Sequence, residues 1–298
     1  MILEDNPLQK SALLQKLLGP NQSQHRAQTQ VFEIPSIIAG STMGRALGDT
    51  CAKHNFMKES YAISLGLQIN RQVTLAVAIG SGKKVVTSGT VQASFRFGSE
   101  SEVYSLTFHL LPACIHNVIL GKGFLKATRT YSSVTNFARR VVRRIIDGVQ
   151  HRSFLYLGGS APSFYGRLND HAEEALADTG AKVLIMDEDY ARSLQLPIED
   201  DEDHIVHLQF ADGSTAKTSG MTYGVRWEFG LQCNATEHSL DFHILKNAPA
   251  KIILSDEFLF ETNAFSEYEC HLVEEHQEED PEEYFLVIDI DRRRWPEG

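Results

Sequence analysis

The chain has 298 residues, 42% hydrophobic and 22% charged, which is an ordinary globular composition with room for one large or two average domains. A formal net charge of -11 excludes the global positive field that draws in phosphate, so no nucleic-acid partner is expected. No apolar run reaches the ~18 residues of a membrane span, and residues 1–18 are broken by Glu4, Asp5, Lys10 and Lys16, so the expected location is intracellular, cytoplasmic or nuclear.

In chain order, residues 1–30 read as an N-terminal extension. A short amphipathic helix over 8–18 is closed by Gly19-Pro20 and followed by a flexible Gln/Ser-rich tract. A strand at 31–34, a turn at 35–41 and a strand at 43–47 lead into Asp49. Residues 54–67 read as a helical turn and helix with Phe56, Tyr61, Ile63, Leu65 and Leu67 inward. Partly alternating strands follow at 73–79, 85–97 and 103–111, with Gly80-Ser-Gly82-Lys-Lys as a hairpin tip. Residues 132–148 give the clearest helical pattern. Phe137, Val141, Val142, Ile145 and Ile146 share one face, and Arg139, Arg140, Arg143 and Arg144 share the other, toward local acid such as Glu274–Glu283.

The second half opens with a strand at 165–168, a turn at Asn169-Asp170 and a strand at 172–177 running into Asp178. Helix-like residues 187–196 and strands near 204–210, 221–229, 239–245 and 251–254 complete it. After the acidic run, residues 284–291 form a strongly β-prone segment before Arg292–Trp295. An exposed strand of this kind would aggregate, so it is expected to pair. Four cysteines, Cys51, Cys114, Cys233 and Cys270, lack metal-ligand spacing, and no metal or cofactor is expected.

Two stretches repeat. Residues 49–67 align without a gap to 178–196, and eleven of the nineteen positions are identical, including Met57/Met186, Glu59/Glu188 and Tyr61/Tyr190. Downstream, Phe97-Gly98 answers Phe229-Gly230, Leu106–Leu111 answers Leu240–Leu245, and Val118–Leu125 answers Ile252–Leu259. The chain therefore reads as a tandem duplication of a unit of roughly 90–100 residues, domain-sized on its own.

Within each unit an apolar strand ends in Asp-Thr-x-Ala, a Gly-containing hairpin tip follows, and an apolar-apolar-Gly or apolar-apolar-Ser precedes a short helix. This order resembles retropepsin-like aspartic proteases, particularly the gypsy-type retroelement branch and its domesticated fungal relatives. The resemblance covers roughly 30–127 and 165–262. It implies a mainly β fold with two acid-protease barrels in tandem, related by a pseudo-two-fold axis and joined by a linking helix. The corresponding divisions are an extension at 1–30, domains at 31–127 and 165–262, a helical linker at 128–164, and an acidic tail with a terminal strand at 263–298.

The resemblance also implies chemistry. Asp49 and Asp178 would share one proton, because like charges a few Å apart cannot both ionise. Thr50 and Thr179 would hydrogen-bond across the interface, with Cys51, Gly180, Ala52 and Ala181 lining the dyad and Gly80, Gly82, Asp212 and Gly213 in the flaps. Three departures stand out: Gly48 before the first Asp, Cys51 at the glycine of Asp-Thr-Gly, and Ser255 where the first unit has Gly121. Two functions follow. One is a single-chain aspartic endopeptidase acting on polypeptides as an intramolecular pseudo-dimer. The other is a catalytically inactive, domesticated derivative that binds peptide or serves assembly. A homodimer pairing equivalent units between chains is the further arrangement that two-fold symmetry allows.

Overall fold

In the computed structural model, residues 28–41, 43–147, 152–158, 162–231, 236–273 and 286–287 are described. The expected helix at 8–18, the acidic run at 274–283, Cys233 and Arg292–Trp295 lie outside them.

The molecule is mainly β and built on two closed sheets. The first half runs β1 (Gln28–Ile38), β2 (Gly44–Gly48), β3 (Phe56–Lys58), α1 (Glu59–Ser64), β4 (Ala76–Ala78), β5 (Lys84–Val86), β6 (Thr90–Phe97), β7 (Tyr104–Leu111), β8 (Val118–Leu120) and α2 (Lys122–Ala127). Next come α3 (Val134–Arg140) and β9 (Val142–Asp147). The second half repeats the order with β10 (Ser163–Leu168), β11 (His171–Ala177), β12 (Ile185–Asp187), α4 (Glu188–Ser193), β13 (His207–Gln209), β14 (Thr215–Lys217), β15 (Gly220–Phe229), β16 (Glu237–Leu245), β17 (Ile252–Leu254) and α5 (Asp256–Glu261). α6 (Ala264–Glu267), β18 (Leu272–Val273) and β19 (Leu286–Val287) follow.

The pairing recurs with the order. β2 lies parallel to β8, with Gly48 opposite Leu120, as β11 lies parallel to β17, with Ala177 opposite Leu254. β3 is parallel to β7 and antiparallel to β8, and β12 stands in the same relation to β16 and β17. β6–β7 and β10–β11 close the two rings. Strand alternation supplies the cores: Val91, Ala93, Phe95 and Phe97 of β6 point inward, whereas Gln92 points out. β19 pairs antiparallel with β7, so the described part of the C-terminal β-prone segment is a paired strand.

Three expectations are corrected. Residues 132–148 are not one helix: α3 ends at Arg140, Val141 is extended, and β9 pairs with six residues of β1. The run Val141-Val-Arg-Arg-Ile-Ile146 is rich in β-branched residues, which lose side-chain freedom in a helix, and β1 offers an open edge to pair with. The arginines do meet local acid. Arg140 is buried against Glu100, with Nε–Oε1 at 2.5 Å, and lies over the Phe97 ring, while Arg144 meets Glu33 at 2.9 Å. Residues 54–67 begin as strand β3, and Ile63 faces solvent. Finally, β1 runs unbroken through Pro35, whose carbonyl accepts from the Gly98 amide, so the turn falls later, at Ala39-Gly40.

Candidate active site

Each aspartate stands where a central strand gives way to a turn. The Asp49 amide donates to the Leu120 carbonyl at 2.9 Å and that of Asp178 to Leu254 at 3.1 Å. Each turn then folds back on its own carboxylate. Cys51 N–H donates to Asp49 Oδ1 and Gly180 N–H to Asp178 Oδ1, both at 2.7 Å, fixing one oxygen of each side chain. Ala52 and Ala181 close the turns, their N–H groups donating hydrogen bonds to the carbonyls of Asp49 and Asp178.

The threonines cross between the halves. Thr50 Oγ1 accepts from Thr179 N–H at 3.0 Å and donates to the Ala177 carbonyl at 2.5 Å. Thr179 Oγ1 accepts from Thr50 N–H at 3.0 Å and donates to the Gly48 carbonyl at 2.8 Å. This reciprocal lock brings Asp49 and Asp178 together, and both are fully buried. The free oxygens, Asp49 Oδ2 and Asp178 Oδ2, are buried without a hydrogen-bond partner. A proton held between the carboxylates would satisfy both.

Burial pushes the Asp49 carboxyl up to about 6, against the pull of the Cys51 N–H. Asp178 lies well above the usual carboxylate range, through burial first and the Asp49 charge second. Cys51 stays a neutral thiol, because burial and the two carboxylates raise its pKa. A carboxylate oxygen from each Asp and Cys51 Sγ lie within 4.8 Å of one another, so their spacing alone would suit an ion. Glu199, Asp201 and His204 form a second close group, but they already bond one another, His204 Nδ1 lying 2.7 Å from Asp201 Oδ1.

The three departures each have a local reason. A Cβ at Gly48 would lie 2.1 Å from the Tyr131 hydroxyl, which donates to the Gly48 carbonyl. Cys51 fits because its Sγ turns to the Ala177 carbonyl at 3.8 Å, whereas a Cβ at Gly180 would meet Asp49 Cγ at 2.8 Å. The two turns are therefore unequal, and only one has room for a side chain. Gly121 is pressed against the His54 carbonyl and gives its amide to Asn55 Oδ1. At the matching point Ser255 caps α5 by accepting from Phe258 N–H, and the buried Lys182–Asp256 pair ties the turn to that helix.

The two expected flaps are hairpins, β4–β5 and β13–β14. Gly82 and Gly213 take positive φ at their tips (76° and 79°), which glycine accepts without steric cost. Gly80 lies at the first tip and Asp212 at the second. The tips meet where Lys83 Nζ lies 3.3 Å from Asp212 Oδ2, and the loop between β7 and β8 also reaches the second tip, Ile115 N–H donating to the Ala211 carbonyl at 3.1 Å.

Residues 34–124 match the family model described as aspartyl protease. The match takes in Asp49 and the first flap and leaves the second half outside it. A comparison with curated proteins finds no match. Among the described residues no helix is long and apolar enough to cross a membrane.

Sequence reasoning passed over Tyr131, the Lys182–Asp256 pair and the apolar run Phe154–Leu157. Only the last left a signal, as an unbroken apolar run between Arg152-Ser153 and Gly158-Gly159.

Proposed function

We propose that this chain is a single-chain aspartic endopeptidase of the retropepsin-like, retroelement type, an intramolecular pseudo-dimer of domains at 31–127 and 165–262. Asp49 and Asp178 are its dyad. The observation that carries the reading is the pair of unpartnered, buried carboxylate oxygens delivered by two equivalent turns and locked by reciprocal threonine bonds. A buried carboxylate without a task is costly, and two facing each other are costlier still. The match of residues 34–124 to aspartyl proteases supports the same reading.

The chemistry needs one proton on the pair. The ionised carboxylate takes a proton from an attacking water while the protonated one donates to the scissile carbonyl oxygen. The tetrahedral product then collapses, and the leaving amine departs with a proton. Thr50 and Thr179 hold the turns, Cys51, Gly180, Ala52 and Ala181 shape the floor, and the flaps carrying Gly80, Gly82, Asp212 and Gly213 close over an extended polypeptide. Because both halves supply the site, one chain suffices, and a homodimer is not needed.

Cys51 favours a second reading. Its side chain stands beside the carboxylates, where a water would have to fit, so the cleft of an inactive, domesticated derivative would bind peptide without cutting it. Peptide-library cleavage from pH 3 to 8 separates the two. The first reading expects cutting that Asp49→Asn and Asp178→Asn each abolish. Absence of cutting by the folded chain, by Cys51→Gly and by the cleft variant of the next section overturns it.

A further inference from the structure

The described residues between β9 and β10 do not lie on the outside of the molecule. Residues Arg152–Gly158 run between the two flaps and the two aspartate turns. On one side the Lys182 amide donates to the Ser153 carbonyl at 2.8 Å, and Phe154 pairs antiparallel with Ala181. On the other, the Lys53 amide donates to the Leu157 carbonyl at 3.1 Å. From the flap side, Phe154 N–H donates to the Gln209 carbonyl and Gln209 N–H to the Arg152 carbonyl, both at 2.9 Å.

Side chains seal the arrangement. Phe154, Leu155 and Leu157 have no exposed surface and belong to an apolar cluster with Val77 and Ile79 of the first flap region and Leu208 and Phe210 of the second. The first flap fits the strap so closely that a Cβ on Gly80 would lie 2.6 Å from the Phe154 ring. Gly158 presses on Val77 and Ala78 in the same way.

The register is informative. Lys53 follows Asp49 by four positions, and Lys182 follows Asp178 by four, so the two amides are equivalent points on either side of the dyad. They hold carbonyls that are themselves four residues apart, Ser153 and Leu157. The midpoint of that register is the Leu155–Tyr156 peptide bond. An incidental linker has no reason to be gripped by backbone groups related through the site's own symmetry, from floor and flap together. A peptide ligand has that reason, because main-chain pairing gives affinity and side-chain pockets give selectivity.

We infer that Arg152–Gly158 is a tethered peptide ligand of the cleft. It shields the dyad and must leave before another peptide enters, and it defines the ligand class as a peptide of aromatic and aliphatic residues patterned as Ser-Phe-Leu-Tyr-Leu, bent at the tyrosine, where Tyr156 takes a φ of 35°. The inference rests on the cleft assignment above but not on catalysis. A tethered occupant competes at the high effective concentration of a short link, so free peptides of similar intrinsic affinity are excluded.

Binding is therefore tested in the full-length Asp49→Asn/Asp178→Asn chain, where no cutting interferes, using fluorescence anisotropy of a labelled Arg-Ser-Phe-Leu-Tyr-Leu-Gly peptide. Replacing Phe154, Leu155 and Leu157 together by Ser is expected to tighten peptide binding at least ~10-fold over the intact strap. Equal binding with and without these changes, in chains with native circular dichroism, overturns the inference. The unmutated chain gives an independent reading by hydrogen exchange: the amides of Phe154, Lys53 and Lys182 are expected to be protected, and exchange as fast as in the free peptide overturns the inference even if the variant does not fold. Tight binding without cutting by the loosened, Asp-intact chain would sink the peptidase reading and leave the strap assignment standing.

Discussion

At the scale of single residues, two buried groups pull the stability of the molecule in opposite directions over one pH range. Asp49 is raised from 3.8 to about 6 by burial, so the native state holds its proton more tightly than the unfolded chain does. Its contribution is fully present below pH 3.8 and is lost as pH rises through about 6. Asp178 acts with the same sign. His243, on β16, is lowered from 6.5 to about 4 by burial first and by nearby Arg152 second, and its Nδ1 has no hydrogen-bond partner. Its contribution is present above pH 6.5 and is lost as pH falls through about 4. Urea unfolding at a series of pH values should therefore show stability falling with pH between 4 and 6 for the intact chain, because two raised carboxyls outweigh one lowered imidazole. Asp49→Asn should flatten that fall and His243→Gln should steepen it, each by ~1–3 kcal/mol across the range. Identical slopes in all three chains would contradict the burial argument.

At the scale of elements, the turns hold together through contacts that a helix or strand pattern does not display. Thr50→Val would leave the Thr179 amide buried without its partner and the Ala177 carbonyl with only the weak Cys51 thiol donor, which costs ~2–4 kcal/mol by chemical denaturation, whereas Thr50→Ser should cost less than ~1 kcal/mol. Gly48 and Tyr131 form a second such unit. Gly48→Ala should destabilise by ~1–3 kcal/mol because its methyl meets the tyrosine hydroxyl, and Tyr131→Phe should recover part of that loss in a double-mutant cycle. Additive effects would show that the hydroxyl is not the obstacle. These contacts mark how far the sequence could be read. The strand order, both aspartate turns and both flap hairpins follow from the repeat and from alternation, which are local signals. The role of Gly48 does not, because its partner lies 83 positions away. The end of α3 was misread because Val141–Ile146 satisfies a helical stripe, yet its β-branched residues find a partner in β1 that only the fold supplies. An acidic partner for Arg140 is expected from the sequence, but not which one, since Glu100 lies forty positions away. Truncating Arg140 to Leu should cost up to ~3 kcal/mol, because it takes the buried guanidinium from Glu100 and leaves that carboxylate to Arg139, at 2.8 Å.

At the scale of the whole molecule, the position of the strap bears on how the two halves unfold. Two linked domains of this size are ordinarily free to melt separately, because interfaces between domains tend to be small and polar. Here an apolar cluster draws Leu47, Phe56 and Ile119 from the first half and Ile185, Leu245 and Ile253 from the second, with Phe154, Leu155 and Leu157 between them. β19 pairs with β7 of the first sheet although it lies far along the chain, and the threonine lock buries a backbone amide from each half in the keeping of the other. Melting one half alone would expose that shared cluster and strand those buried donors, each a cost of ~1–3 kcal/mol before any apolar area is counted. Scanning calorimetry of the intact chain should therefore give one transition with equal calorimetric and van't Hoff enthalpies. In the strap variant with Phe154, Leu155 and Leu157 replaced by Ser, the same link is weakened at its centre, and the transition should broaden or divide. Two resolved transitions in the unaltered chain would mean that the halves are energetically separate, and that the cluster between them is contact without coupling.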